Sequence, residues 1–193
     1  MSLLEREAVV KVRKALLAAG QEDTIVELAQ TARSAEDAAK AVGCELGAIV
    51  KSLVFTVGRR FVMALVAGDH RCLEENLPAA FNLDGAVGRP AASEVKGISG
   101  FTIGGVAPIG LAHPLPVVID RSLKRFETVY AAAGHPHCVF ATNAGALARM
   151  TGGIVSVGIA TPMDGVRLDN VGLKRSRSFT SGREKRLDGN QSG

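Results

Sequence analysis

The sequence lacks the patterns that mark several common classes of protein. Its three cysteines are an odd number and widely spaced, without a Cys-x-x-Cys pair, so they indicate neither a zinc knuckle nor a redox pair. No apolar run reaches the roughly 18 residues that span a membrane, and the first residues do not resemble a secretory signal. We therefore predict a cytoplasmic protein with no membrane partner.

Familiar catalytic and cofactor motifs are missing as well. The sequence contains no Gly-x-Ser-x-Gly and no phosphate-binding P-loop. His135 and His137 could chelate a metal, but no third ligand lies near them, and two histidines in one turn are more often surface residues. We predict that the protein uses neither a metal nor another cofactor.

The formal net charge of +4 is confined to one end of the chain. Residues 171–193 carry six Lys and Arg against two Asp and Glu, which leaves residues 1–170 neutral. We predict a single domain over residues 1–170, followed by a basic, disordered tail. The tail either adds attraction to RNA phosphates or is dispensable, and we favour the second interpretation. The sequence gives no indication of the oligomeric state.

Two apolar runs, residues 49–57 and 61–69, flank Gly58-Arg59-Arg60 and predict a β-hairpin. Both runs are too apolar to have one face in water, which places the hairpin in the middle of a sheet covered on both sides. Lys51 is the exception, because burying an ammonium is costly without an anionic partner or a cleft. Either Lys51 lies near the strand end and reaches solvent, or it points into a pocket and binds an anion.

A second unusual stretch, residues 101–111, combines apolar side chains with three glycines and Pro108 and carries no charge. Glycines allow the backbone to approach a ligand closely, and loops that present backbone N–H groups to an oxyanion or phosphate are often built in this way. An ordinary tight apolar loop that closes over the core explains the composition equally well.

The other segments predict helices and strands in no regular order. We predict helices over residues 2–19, 34–43 with a Ser34 cap, 71–81, 93–98 and 142–150 with a Thr142 cap. We predict further strands over residues 24–28, 86–87, 115–120, 127–131, 138–141 and 154–157. About seven strands and five helices without βαβ alternation predict an α+β fold around a mixed sheet.

Five stretches carry a family resemblance, and they occur in the family's order. They are Ala-Ala-Lys-Ala-Val-Gly (38–43), Ile-Val-Lys-Ser-Leu-Val-Phe (49–55), Ala-Leu-Val-Ala-Gly-Asp-His-Arg (64–71), Gly-Gly-Val-Ala-Pro-Ile-Gly (104–110) and Val-Val-Ile-Asp (117–120). Together they resemble the YbaK/prolyl-tRNA-synthetase-associated domain family over about residues 24–157. The resemblance implies a largely antiparallel, barrel-like sheet with flanking helices.

The resemblance also implies an activity. Members of this family are aminoacyl-tRNA deacylases, and the free-standing ones edit mischarged tRNA in trans, with tRNA(Pro)-type substrates expected here. The implied partners are the acceptor end of an aminoacyl-tRNA and a synthetase. The alternative is a non-catalytic module on the same fold that binds a nucleotide or small metabolite.

The family motif assigns roles to particular residues. Lys51 matches the lysine taken to contact the phosphate of the terminal adenosine. Gly104 and Gly105 begin the Gly-x-x-x-Pro loop, which is thought to place backbone N–H groups on the ester carbonyl, while the attacking water is activated by the substrate's ribose hydroxyl. The expected substrate-binding residues are Val106, Ala107, Pro108, Asp69 and His137.

The resemblance is incomplete around one turn. Where the cysteinyl-tRNA deacylases have Ser-Ala-Gly, this chain has Ala132-Ala133-Gly134, followed by Pro136 and His137. The resemblance therefore does not extend to cysteine specificity. His137 either sorts substrate side chains in the pocket or is a turn histidine in solvent.

Overall fold

The computed structural model describes residues 2–29, 32 and 34–163, so the predicted tail lies outside the described residues. The α-helices are α1 (Glu7–Ala18), α2 (Ala35–Val42), α3 (Leu77–Phe81), α4 (Ala92–Ser99) and α5 (Ala144–Thr151). The strands are β1 (Ile25–Glu27), β2 (Ile49–Val57), β3 (Arg60–Ala67), β4 (His70–Cys72), β5 (Val87–Gly88), β6 (Val117–Asp120), β7 (Val129–Ala132), β8 (Cys138–Thr142), β9 (Ile154–Ser156) and β10 (Ala160–Pro162). No helix within the described residues is long and apolar enough to cross a membrane.

One large mixed sheet organises the fold. Its strands follow the order β1-β8-β7-β2-β3-β6-β9, with β5 also paired to β2, and β4 and β10 form a separate pair. The pairs β2–β7, β3–β6 and β6–β9 are parallel and the others are antiparallel. The predicted α+β class, with a mixed and largely antiparallel sheet and flanking helices, is confirmed.

The predicted hairpin is the centre of this sheet. β2 and β3 pair in register from Val50 opposite Ala67 to Val57 opposite Arg60, with the turn at Gly58. Because side chains alternate across a strand, the hairpin contributes to two cores. One contains Val50 and Met63, and the other contains Phe55 and Val62.

Of the two predicted helix caps, one is confirmed and one is wrong. Ser34 caps α2 as predicted, since its Oγ accepts a hydrogen bond from the Asp37 N–H at 3.1 Å. The predicted Thr142 cap is wrong, because Thr142 ends β8 and the next residue caps α5. The Asn143 Oδ1 accepts from the Ala146 N–H at 2.9 Å, and asparagine is as good an N-cap as threonine.

The predicted helix over residues 71–81 is wrong at its start. Residues 70–72 form β4, which pairs with β10, and a 3-10 turn at Glu74–Asn76 leads into α3 at Leu77. Leu73, Leu77 and Phe81 at a spacing of four suggested a helical face. The partner of β4 lies about 90 residues away in sequence, where a local pattern cannot reveal it. β10 itself was not predicted.

Candidate active site

The candidate site lies in a gap along one edge of β2. β3 pairs with β2 on one edge over its whole length. On the other edge β7 pairs only with Ile49 and Val50, and β5 only with Thr56 and Val57. A cavity of about 930 Å³ opens between these two short pairings. Because ligands often bind where a sheet divides between neighbouring strands, the gap is the natural place for a site.

The cavity wraps around the open edge and so has two walls. Lys51 and Leu53 lie on one side of the sheet and Ser52 and Val54 on the other. The lining includes β2 itself, the start of α2, the segment after β3, the loop before β6 and part of the β7–β8 hairpin. The lining residues include Lys51, Ser52, Val54, Arg71, Cys72, Glu74, Glu75, Arg89, Pro90, Gly104, Val106 and Pro136.

Lys51 is a half-buried residue of the cavity wall. Its Nζ donates hydrogen bonds to two backbone carbonyls of the turn after β3, Gly68 O at 3.4 Å and His70 O. Burial lowers the pKa of the Lys51 ammonium, and the nearby carboxylates of Glu36 and Asp69 offset part of that effect. Lys51 therefore presents a cation that is poorly hydrated and held in place by carbonyl dipoles.

Asp69 does not line the cavity, contrary to its expected role in substrate binding. It is buried, and its carboxylate accepts two hydrogen bonds from Arg125 Nη2 at 2.8 and 2.9 Å. His70 Nδ1 lies 2.7 Å from Asp69 Oδ1. Burial alone would raise the pKa of Asp69, but these hydrogen bonds outweigh it and hold the pKa below its ordinary value. Asp69 thus fixes the turn whose carbonyls hold Lys51.

The glycine-rich loop forms the opposite wall. The Gly105 N–H donates to Thr102 O at 3.0 Å, and Gly104 between them has a φ of +91°, which a glycine adopts without strain. Gly104 and Val106 line the cavity, whereas Gly105, Ala107 and Pro108 do not. Since the Gly105 N–H is already engaged, the donors available to a ligand are those of Gly104 and Val106, which have no hydrogen-bond partner among the described residues.

The loop packs tightly against the turn of the β7–β8 hairpin. A Cβ built at Gly105 would lie 2.8 Å from the Cα of His135, which is closer than real Cβ contacts. Through this contact the hairpin turn sets the position of the loop. Pro136 reaches the cavity lining, but His137, expected to bind substrate, does not.

The two histidines of this turn interact with each other instead. Their rings meet edge to face with centroids 5.3 Å apart, and the His137 N–H donates to His135 Nδ1 at 3.2 Å. Partial burial and the neighbouring His137 lower the pKa of His135. No group of three His, Cys, Asp or Glu within the described ranges could hold a metal ion.

Sequence reasoning missed a charged wall next to Lys51. Arg71, Glu74, Glu75 and Arg89 all line the cavity, with Arg89 Nε 3.0 Å from Glu74 Oε1. Arg71, Glu74 and Glu75 come from the segment that was predicted as one helix, so the sequence did not show that they line one wall together with Arg89. Burial, with smaller effects from Glu74 and Glu75, raises the pKa of the neighbouring Cys72 thiol to about 11. Cys72 is therefore a neutral thiol at physiological pH and a poor nucleophile.

Comparison with known proteins gives one consistent result. A family model described as "Aminoacyl-tRNA editing domain" matches residues 29–150. The uncharacterized protein YwhH of Bacillus subtilis is 36% identical over 115 residues, which cover 59% of this chain and 72% of YwhH. A proline–tRNA ligase of Xanthomonas oryzae pv. oryzae is 34% identical over 95 residues, 48% of this chain and 16% of the ligase.

Solved structures agree with these sequence matches. A structure described as that of a candidate trans-editing enzyme for prolyl tRNA synthetase superimposes with a TM-score of 0.72 at 34% identity, covering 78% of this chain and 96% of that one. The hypothetical protein APE2540 superimposes with a TM-score of 0.70 at 24% identity, which supports the fold alone. The resemblance inferred from the five sequence stretches is confirmed.

Proposed function

Because the chain belongs to the aminoacyl-tRNA editing domain family, we propose that it is a trans-editing hydrolase that deacylates mischarged tRNA, with tRNA(Pro)-type substrates. One observation supports this most directly. Lys51 lines the same cavity as the loop residues Gly104 and Val106, and Val106 belongs to the core on the Val54 side of the sheet. A phosphate and an ester carbonyl of one aminoacyl-nucleotide could therefore be held at the same time.

In this proposal the Lys51 ammonium binds the phosphate of the terminal adenosine. Lysine contacts phosphate as a point charge, and partial burial strengthens the contact because it weakens screening by water. Arg71 lies on the same wall and is a second cation available to the phosphate, whereas Arg89 is paired with Glu74. The nucleotide is the partner that this wall binds, and association with a synthetase is a further part of the proposal.

The loop would act on the reacting end of the substrate. Water attacks the carbonyl carbon of the ester, negative charge develops on the carbonyl oxygen, and the N–H groups of Gly104 and Val106 stabilise it. The carbon–oxygen bond to the ribose then breaks, so that the ribose oxygen takes a proton and the amino acid leaves with the water oxygen. No histidine lines the cavity among the described residues, and we assign activation of the water to the neighbouring ribose hydroxyl.

A deacylation panel tests this proposal. Purified protein is incubated with tRNA(Pro) and other tRNAs carrying Ala, Cys, Ser, Thr or Pro, and release of the amino acid is followed over time. We expect hydrolysis of at least one mischarged tRNA, and loss of that hydrolysis in Lys51→Ala. Hydrolysis of none of them, together with binding of adenosine 5′-monophosphate, would instead favour the non-catalytic nucleotide-binding module.

A further inference from the structure

The open edge of β2 carries polar backbone groups that point into the gap. In an antiparallel pair the residues alternate between those that bond to the partner strand and those whose N–H and C=O point away from it. The Gly68 N–H donates to Ile49 O at 2.8 Å, so the odd-numbered residues of β2 bond to β3. The peptide groups of Ser52 and Val54 therefore face the opposite edge, where the cavity lies.

A contact on the far side of β3 supports this assignment. Met63 stands opposite Val54 in the register, and its N–H donates to Pro116 O, away from β2, at 2.9 Å. Met63 and Val54 therefore form a non-hydrogen-bonded pair. Because the backbone N–H and C=O of Met63 point away from β2, those of Val54 point away from β3.

The sequence explains why this edge stays open. Continuing the β5 register of Thr56 opposite Gly88 would place Pro90 opposite Val54. Proline has no N–H to donate, so the ladder stops there. At the other end β7 stops at Ala132, where the chain turns and the Ala133 N–H donates to Cys138 O at 2.8 Å.

Four backbone groups face the gap, namely the N–H and C=O of Ser52 and of Val54. The β7 ladder ends at Val50 and the β5 ladder at Thr56, so neither ladder includes Ser52 or Val54. Unpaired backbone groups in a partly buried setting are costly, and native proteins usually satisfy them. Here they lie at the lining of the candidate site.

We propose that this edge binds the ribose of the terminal nucleotide, with its 2′-hydroxyl donating to the Ser52 C=O and accepting from the Val54 N–H. The proposal rests on the proposed function. If Lys51 holds the phosphate on one side of the sheet and the loop holds the ester on the other, the sugar that joins them must cross the edge. A hydroxyl offers one donor together with acceptor lone pairs, which matches the adjacent carbonyl and N–H. The 2′-hydroxyl is also the group that distinguishes RNA from DNA.

An added peptide strand fits this edge less well. At about 3.3 Å per residue, Val50 and Thr56 are about 20 Å apart, and both are already paired to other strands. A strand from another protein would have to end inside the gap at both sides. A compact sugar fits between β7 and β5 without displacing either strand.

Proline substitution tests the edge directly. Val54→Pro removes the edge N–H, and Val54→Ala is the matched control because it shortens the same side chain but keeps the N–H. We expect both to fold, and adenosine 5′-monophosphate to bind Val54→Pro about fivefold more weakly than Val54→Ala, the size of one hydrogen bond. Leu53→Pro should unfold the protein instead, because the Leu53 N–H is assigned to the β3 ladder. Equal affinity of the two Val54 variants would overturn the proposal.

A ligand series on the wild-type protein gives a second test that needs no variant to fold. 2′-Deoxyadenosine 5′-monophosphate should bind about fivefold more weakly than adenosine 5′-monophosphate, while the 3′-deoxy compound should bind about as well. In Val54→Pro the penalty for the missing 2′-hydroxyl should become smaller, since the N–H partner is gone and only the Ser52 C=O remains. Equal binding of the 2′-deoxy compound to the wild type would refute the inference.

The two proposals fail separately. Loss of the 2′-hydroxyl preference in a protein that still deacylates tRNA would refute the edge inference alone. A protein that keeps the 2′-hydroxyl preference but hydrolyses no aminoacyl-tRNA would refute the proposed activity and leave the nucleotide site in place.

Discussion

The two strands of the central hairpin have similar apolar sequences but different surroundings. In β3 every residue from Val62 to Ala67 is fully buried, whereas residues 51–54 of β2 are all partly exposed. On its second edge β3 pairs with β6 in the middle of the strand, at Met63–Leu65, whereas β2 has neighbours on its second edge only at its two ends. The partly exposed residues of β2 are therefore exposed to the cavity. An apolar strand that borders a cavity can carry a charged side chain, whereas a fully enclosed strand could not.

The largest expected effects concern two residues that lie opposite each other, one in β2 and one in β3. Lys51 stands opposite Val66 in the register. Lys51→Ala should reduce deacylation by at least about a hundredfold, the scale of a lost charge-assisted contact in a closed site, with little change in stability. Val66→Ala should cost about 1–3 kcal/mol of unfolding free energy, since two buried methyl groups are lost, and should leave turnover largely intact at low temperature.

Chemical denaturation and single-turnover deacylation, measured on the same preparations, check this pair. A large loss of stability in Lys51→Ala, or a large loss of turnover in folded Val66→Ala, would mean that the two strands do not divide structure and function as described.

The next largest effect concerns the loop opposite β2. In Gly105→Ala the new Cβ would meet the backbone of His135, so the loop must shift from its place on the hairpin turn. A displacement near 1 Å at a reacting group can lower the reaction rate on the order of a hundredfold. We therefore expect turnover to fall by about 10- to 100-fold in Gly105→Ala. Gly97→Ala is the matched control, because its Cβ has open space within α4 and should stabilise the helix slightly.

Comparing the turnover and thermal stability of the two glycine variants decides the outcome. Wild-type turnover in Gly105→Ala would show that the loop can move without affecting the ester, and would remove the loop from the proposed mechanism.

The hairpin, the Ser34 cap and the family motifs could be predicted because each rests on a short local pattern. The positions of Lys51 and the Gly104 loop in one cavity followed from resemblance, since they are 53 positions apart in sequence. The charged wall of Arg71 and Glu74 was hidden because β4 pairs with β10 near the far end of the described chain. Pairings over such distances depend on tertiary contacts that no local periodicity encodes.

Asp69 shows a different limit of sequence reasoning. The family resemblance suggested a residue of the pocket, but its carboxylate binds Arg125, 56 positions later, and Asp69 is not among the residues that line the cavity. The open edge of β2 was also out of reach, although Pro90 supplied a signal in retrospect. A proline opposite a strand residue marks the end of a ladder. This signal can be recognised only when the pairing register of the two strands is already known.

A smaller effect tests how the end of β3 supports Lys51. Asp69→Asn keeps the shape of the side chain but removes a negative charge that raises the pKa of Lys51. Anion binding requires the protonated ammonium, so affinity for adenosine 5′-monophosphate is lost as the pH rises through that pKa. The alkaline limb of the affinity profile should therefore move to lower pH in Asp69→Asn, and the loss of affinity should be largest at alkaline pH.

Asp23→Asn is the control for this profile. Asp23 forms an ion pair with Arg13 at 2.7 Å, and neither residue is among those lining the cavity. The remaining groups that act on Lys51 are Glu36, Cys72 and Asp120, and they are unchanged in both variants. An unshifted alkaline limb in Asp69→Asn would show that Asp69 has no electrostatic influence on the site.

The smallest expected effect is on stability in acid. Because the pKa of Asp69 is lower in the folded protein than in the unfolded chain, its ionised form stabilises the fold above the ordinary aspartate pKa. That stabilisation is lost as the pH falls through the folded pKa. Asp69→Asn should therefore lower stability at neutral pH by about 1–3 kcal/mol, as expected for hydrogen bonds to a charged group, and its unfolding free energy should fall less steeply below about pH 4. Urea unfolding at a series of pH values measures how the unfolding free energy of the wild type and that of Asp69→Asn depend on pH. Parallel slopes would mean that Arg125 and His70 do not hold the carboxylate ionised, and that the turn after β3 owes its position to packing against Leu46.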